Sequence, residues 1–137
     1  DATRASGTSA IALVSPAERA RDAATMRELA RGLLAPLAEF WIFMGLSLDR
    51  NDLAAKSAMS ERVARFRPSY AVLARRAVFL AFEGDVQMAK VLVEKVVRTF
   101  PHRRDSTIQI LQRASAADPR AIEPLLRLAG AGETPPD

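Results

Sequence analysis

A spacing of 33 residues constrains this chain more than any other feature of it. Asn51-Asp52, Gly84-Asp85 and Ala117-Asp118 recur at that interval, and so do Pro68 and Pro101. An Asp just after a turn is a helix N-cap, and Pro cannot continue a helix. Each unit therefore reads as helix, tight turn with an Asp cap, helix, Pro stop. A single hairpin of this kind cannot bury its apolar face, so neighbouring hairpins must stack. A plain helical bundle with a coincidental spacing is the other reading, and both give an all-α fold. No run of five or more residues alternates as a half-buried strand would.

The pattern along the chain divides it into a flexible arm at residues 1–15, a helical body at 16–130 and a frayed tail at 131–137. Within the arm, Ile11 to Val14 is a short apolar run. Ser15-Pro16 with Glu18 starts the first helix, on which Met26, Leu29, Ala30, Leu33 and Leu37 follow helical spacing. Pro36 removes a hydrogen bond from that run and predicts a kink or a break. A second helix then carries Phe40, Trp41, Phe43, Met44 and Leu46 and ends near Asp49. Asn51 or Asp52 caps the next, with Ala55, Met59, Val63 and Phe66 on one apolar face. Residues 69–83 are apolar nearly all round, which predicts a central buried helix. Gly84 is its left-handed end and Asp85 the next N-cap. Val86, Ala89, Val93, Val96, Val97 and Phe100 form the following stripe, and Pro101 stops it. Asp105 or Ser106 opens a helix with Ile108, Leu111 and Ala114 inside. Asp118-Pro119 starts the last, with Ile122, Leu125, Leu126 and Ala129, closed by Gly130 and Gly132.

Residues 69–101 resemble a tetratricopeptide repeat. Ala77 and Ala89 stand at the small-residue positions of its two helices, and Gly84-Asp85 form its turn. Leu73, Leu80, Val93 and Val96 fill its packing positions, and Pro101 ends it. Arg76 departs from the pattern where Leu is usual, and Met44 and Lys56 occupy small-residue positions in the unit before. The resemblance implies about six or seven helices paired as antiparallel hairpins. It also implies an inner groove, with Trp41 lining it alongside Ala74, Val78 and Leu111.

The residue inventory excludes several chemistries. There is no cysteine, so disulfide scaffolds, thiol nucleophiles and thiolate metal sites are absent. One histidine, His102, rules out sites built on two or more. The six glycines are not grouped into a phosphate loop. The acids are spread singly, so no pair stands out as general acid and base. No cofactor or metal site and no catalytic residue is predicted. The net charge of +4 suits anionic partners, although interleaved acids and bases on solvated helix faces explain it without any. No nucleic-acid module is present. The longest apolar stretch, Leu33 to Leu48, is interrupted by Pro36 and Glu39 and is too short to span a bilayer. The chain starts at Asp1, which suggests a fragment or a processed product.

Three clusters are candidates for partner contact. Trp41, beside Phe40 and Phe43, is either core or groove lining; Val78 shares the groove in the repeat register. Arg75, with Arg76, sits on an apolar helix and calls for a carboxylate partner. Arg103 and Arg104 form a basic loop suited to a phosphate, a membrane surface or plain solvation.

The stretch from about Asp22 to Leu111 resembles the C-terminal periplasmic domain of bacterial protein O-oligosaccharyltransferases of the PglL or pilin-glycosylase type, the virulence-factor membrane-bound polymerase C-terminal family. The likeness lies in an arginine-rich helix leading to Glu39-Phe40-Trp41-Ile42-Phe43, then a helix ending in Arg65-Phe66-Arg67-Pro68. A Leu-Ala-rich helix ending at Gly84 follows, then one ending in Phe100-Pro101. The resemblance implies a non-catalytic, all-helical domain on the periplasmic face of the inner membrane. The parent protein would supply the transmembrane spans and transfer a polyprenyl-diphosphate-linked glycan to Ser or Thr of an acceptor protein such as pilin. The family's catalytic motifs lie outside the matched stretch, so none is carried onto this chain. The residue pattern alone equally allows a free-standing adaptor that binds a peptide of a protein partner.

Overall fold

The computed structural model describes residues 16–130. The arm at 1–15, the Ser15 cap, Gly132 and the tail at 131–137 lie outside the described residues. Helices α1 (Pro16–Met44), α2 (Leu53–Phe66), α3 (Tyr70–Phe82) and α4 (Val86–Thr99) are followed by a 3₁₀ turn (Pro101–Arg103), α5 (Arg104–Ser115) and α6 (Pro119–Ala129). No described residue is in a strand. The body divides into two compact units, one ending at Leu37 and the other beginning at Ala38.

In the first unit, the described side chains from Arg21 to Glu28 are exposed, Met26 among them. Of the kink or break expected at Pro36, the break does not occur, since α1 is continuous through it. Pro36 has no N–H to give the Gly32 carbonyl, and Gly32 is exposed, so water can take that place. The separate second helix ending near Asp49 is likewise absent: α1 ends at Met44.

In the second unit the 33-residue period is carried into the helix boundaries. Helices α2, α4 and α6 begin at Leu53, Val86 and Pro119; α3 and α5 end at Phe82 and Ser115. Asp52, Asp85 and Asp118 are the three N-caps. Asp85 accepts from the Met88 N–H and Asp118 from the Ala121 N–H. At the turn between α3 and α4, the Gly84 N–H bonds to the Ala81 carbonyl and the Asp85 N–H to the Leu80 carbonyl. Gly84 takes φ 94°, as this closing pattern requires. Asp85 thus ends one helix and starts the next, which is why the turn is so short.

Helix α3 is the centre. It packs on α2, α4 and α5, while α6 packs on α4 and α5. Its buried residues lie on almost every side, from Val72 to Phe82, sparing only Arg75 and Arg76. Phe43, Phe79 and Phe82 are fully enclosed, and Phe43 meets Phe79 edge to face. Each such ring contributes roughly 1.5–3 kcal/mol by leaving water. The α4 stripe is buried as predicted at Ala89, Val93 and Val96.

Helix α2 corrects the sequence reading. Ala55 and Phe66 are exposed, and the buried residues are Lys56, Ser60 and Val63. Val63 is buried as predicted, but the rest of the inward face shifts from Ala55 and Met59 to Lys56 and Ser60. This is possible because the buried polar groups are satisfied. Lys56 Nζ donates to Ser47 O, Ser47 Oγ and Asp49 Oδ1 at 3.0, 3.0 and 2.6 Å. Ser60 Oγ donates to the Ser57 carbonyl and accepts from Arg76 Nη1. Ser47 lies beyond the end of α1, and both its carbonyl and its hydroxyl accept from the Lys56 ammonium. Asp52 also differs from its repeats: it takes φ 51° and its side chain makes no capping bond. Asp49 instead receives the Asn51 N–H. Helix α5 opens at Arg104 out of the 3₁₀ turn, without the expected Asp105 or Ser106 cap. Thr107, not recognised as core, is fully buried and donates to the Arg103 carbonyl.

Candidate docking surface

The structure separates the residues that the repeat register had placed together. Ala74, Val78 and Leu111 are wholly buried, so Val78, 0% exposed, presents no surface to a partner. The groove they were expected to line is core, because α3 is enclosed by α2, α4 and α5. Trp41 is 65% exposed and Ile42 beside it is 57% exposed. Phe40 is buried below, edge to face with Trp41, and Arg67 lies over its ring at 4.7 Å. Glu39 pairs with Arg62 on α2. The end of α1 is therefore fastened to α2 by a cation–ring contact and an ion pair, while two large apolar side chains face solvent. In aromatic content and exposure this is the surface best suited to protein contact.

The basic loop is exposed but engaged. Arg103 lies 5.4 Å over the Tyr70 ring, which in turn meets Phe100. Arg104 Nε donates to the Ala129 carbonyl at 2.6 Å, at the C-terminal end of α6 where unpaired carbonyls and the helix dipole favour a cation. These two arginines tie α5 to its neighbours. His102 is exposed in the 3₁₀ turn. Among the described residues no group of three His, Asp or Glu side chains is placed to hold a metal ion, and no helix is long and apolar enough to cross a membrane.

The carboxylate partner predicted for the α3 arginines is not there. Arg76 bonds to Ser60 Oγ. Arg75 makes no ion pair among the described residues, and its Nε is sealed from water with no acceptor. Burial, and then the charge of Arg113, push its pKa below the usual arginine value. Arg113 was missed from the sequence; it lies 38 positions on, and no local signal connects the two. An open cleft of about 510 Å³ between α4 and α6 was also missed, lined by Lys90, Glu123, Pro124, Arg127 and Leu128. Here a signal existed, since Pro124 occupies the repeat position of the exposed Val91.

Comparison of the chain with protein-family models, with curated proteins and with solved structures gives no match.

Proposed function

We propose that this chain is a non-catalytic docking domain of a larger membrane protein, the periplasmic part of an O-oligosaccharyltransferase. It holds the acceptor protein, such as pilin, or the polyprenyl-diphosphate-linked glycan near the transfer site. The observation that carries the docking role is the exposed Trp41–Ile42 pair, set on a firmly held helix end beside stacked hairpins. The assignment to a transferase is supported by the sequence likeness from Asp22 to Leu111. Docking of this kind acts through effective concentration. A tethered acceptor meets the reacting centre at roughly millimolar levels without any change in the chemistry.

The experiment is removal of residues 38–130 from the parent protein in the source cells, followed by assay of pilin glycosylation and acceptor affinity. Loss of both, with the parent still in the membrane, is the expected result. Unchanged glycosylation and affinity would end the docking role. An immunoblot with antiserum to this chain tests the parentage. A membrane-bound band far above 14.9 kDa is expected. A soluble band near that mass would replace the transferase with a free adaptor that binds a peptide.

A further inference from the structure

The 33-residue period relates Trp41 to Ala74 on α3 and Thr107 on α5, and Gly45 to Val78 and Leu111. The four later residues are wholly buried, whereas Trp41 and Gly45 are exposed. Place in the stack accounts for the difference. Helix α3 has α2 packed against it and α5 has α3. Helix α1 is the first described helix, and among the described residues no earlier hairpin stands before its end. A stack of repeats needs a polar outer face at each end. At the far end α5 meets that need, since all of its exposed residues are polar: Arg104, Asp105, Gln109, Gln112 and Arg113. From Ala38 onward α1 does the opposite. Its exposed residues are Ala38, Trp41 and Ile42, and Gly45 follows just past its end. These fall at i, i+3, i+4 and i+7, the spacing of one helix face.

We propose that this open end of the stack is covered by an amphipathic α-helix of the docked protein, with acidic residues beside its apolar face. This rests on the docking role proposed above and names the form of the partner. The helix lies along the end of α1 and takes the place that a preceding hairpin would hold. An extended segment fits less well. The backbone groups of α1 are bonded within the helix, so a strand laid on it would bury its own without partners, whereas a helix satisfies its own. Ala38 and Gly45, on either side of the large pair, leave room for a second helix axis to come close. The acidic flank follows from the rim. Arg62 pairs with Glu39 on α1, and Arg67 lies over the Phe40 ring. Arg65, one turn from Arg62, pairs with Glu61. All three arginines are exposed and outnumber the two carboxylates. A second copy of the chain would set this excess against itself, while an acidic helix complements it.

The 137-residue chain has one tryptophan, so its fluorescence reports this face directly. The probe is a synthetic helical peptide of about 18 residues, long enough to hold a helix, with Leu on one face and Glu beside it. A peptide of the same composition with its Leu residues dispersed is the control. The Leu-faced peptide should move Trp41 emission to shorter wavelength and saturate, and the dispersed peptide should not. I42E should weaken binding by about tenfold or more, because it buries a charge in the contact. V91E, at an exposed apolar residue of α4, should change it by less than about twofold, because a remote surface charge is screened. Replacing Glu by Lys in the peptide should weaken binding by about threefold or more. Each of four results would overturn the proposal. These are no saturable shift, an equal shift with the dispersed peptide, a shift on concentrating the chain alone, and tighter binding to phosphatidylglycerol vesicles than to the peptide. The third would make a second copy the occupant, and the fourth a bilayer. If the peptide fails while removal of the domain still abolishes glycosylation, docking stands and the helical partner does not. If the peptide binds while removal has no effect, the helix-binding face stands and the docking role in glycosylation falls.

Discussion

Arg50 Nη1 lies 2.9 Å from Asp118 Oδ2, joining residues 68 positions apart. Arg50 belongs to the turn before α2, and Asp118 is the N-cap of α6. Between them, at the end of α3, the Phe82 ring lies 5.7 Å beneath the Arg50 guanidinium. One arginine therefore links the first and third turns of the 33-residue pattern and lies over the helix end that leads into the second. The turns share one edge of the unit because the hairpins stack in register, and Asp118 serves both as a helix cap and as the far end of this link.

Those two roles can be separated. D118A removes the cap, worth about 1 kcal/mol, and the exposed pair, worth a few tenths to about 1 kcal/mol. It should therefore lower unfolding stability by about 1–2 kcal/mol. R50A removes the pair and the ring contact but leaves the cap, and should cost about 0.5–2 kcal/mol. D118N keeps a capping oxygen and should fall between wild type and D118A. Urea unfolding at low and high salt checks this: added salt should shrink the R50A effect and leave the capping loss.

Lys56 should be the most sensitive polar position. K56M leaves the Ser47 and Asp49 acceptors without their ammonium and should cost about 2 kcal/mol, within the range for hydrogen bonds to charged groups. Asp49 sets the pH dependence. The Lys56 ammonium, with help from the Asn51 N–H and Ser47, holds its carboxyl at about 2, below the ordinary 3.8. A depressed carboxyl stabilises the fold fully above its unfolded pKa, because the unfolded chain binds the proton more readily. That contribution should be complete above about pH 4 and fade as pH falls from 3.8 toward about 2. Acid titration of stability should show this limb in the wild type and a weaker one in K56M.

The two left-handed glycines give a paired comparison. An added Cβ at Gly84 meets nothing within 4 Å, so G84A pays only for its backbone conformation, about 1–2 kcal/mol. At Gly130 the same backbone cost applies, and the Cβ would collide with the Arg104 side chain. G130A should therefore be the more destabilising by thermal melt. It should also disturb the Arg104 bond to the Ala129 carbonyl, seen as a shift of the Arg104 Nε–H resonance.

Arg75 should behave opposite to an ordinary core residue. R75M removes a donor without an acceptor and relieves the repulsion from Arg113, while its flexible apolar chain follows the same path. Stability should stay level or rise by up to about 1 kcal/mol in urea unfolding.

The boundaries of α2, α4 and α6 were legible because their signals are local. Asp85 and Asp118 at their caps, Gly84 at a left-handed turn and Pro101 after Phe100 each act within one helical turn of themselves. The α4 stripe was legible for the same reason, since its 3.6-residue period is written in Ala89, Val93 and Val96. The candidate surface was only partly so. The aromatic cluster and the repeat register mark Trp41, but its exposure and the burial of Val78 depend on which helices close around α3.

What the sequence by itself determined is an all-α chain of hairpins at a 33-residue period, through capping, backbone and periodicity effects confined to neighbouring residues. Tertiary structure decided which face of α2 turns inward, where α1 ends, and that Arg75 Nε is buried without an acceptor. The reason is physical. A buried ammonium or guanidinium takes whatever acceptors packing brings within about 3 Å. For Lys56 these come from Ser47 and Asp49 across a loop. For Arg75 Nε packing supplies none, and no local pattern in the chain records either outcome.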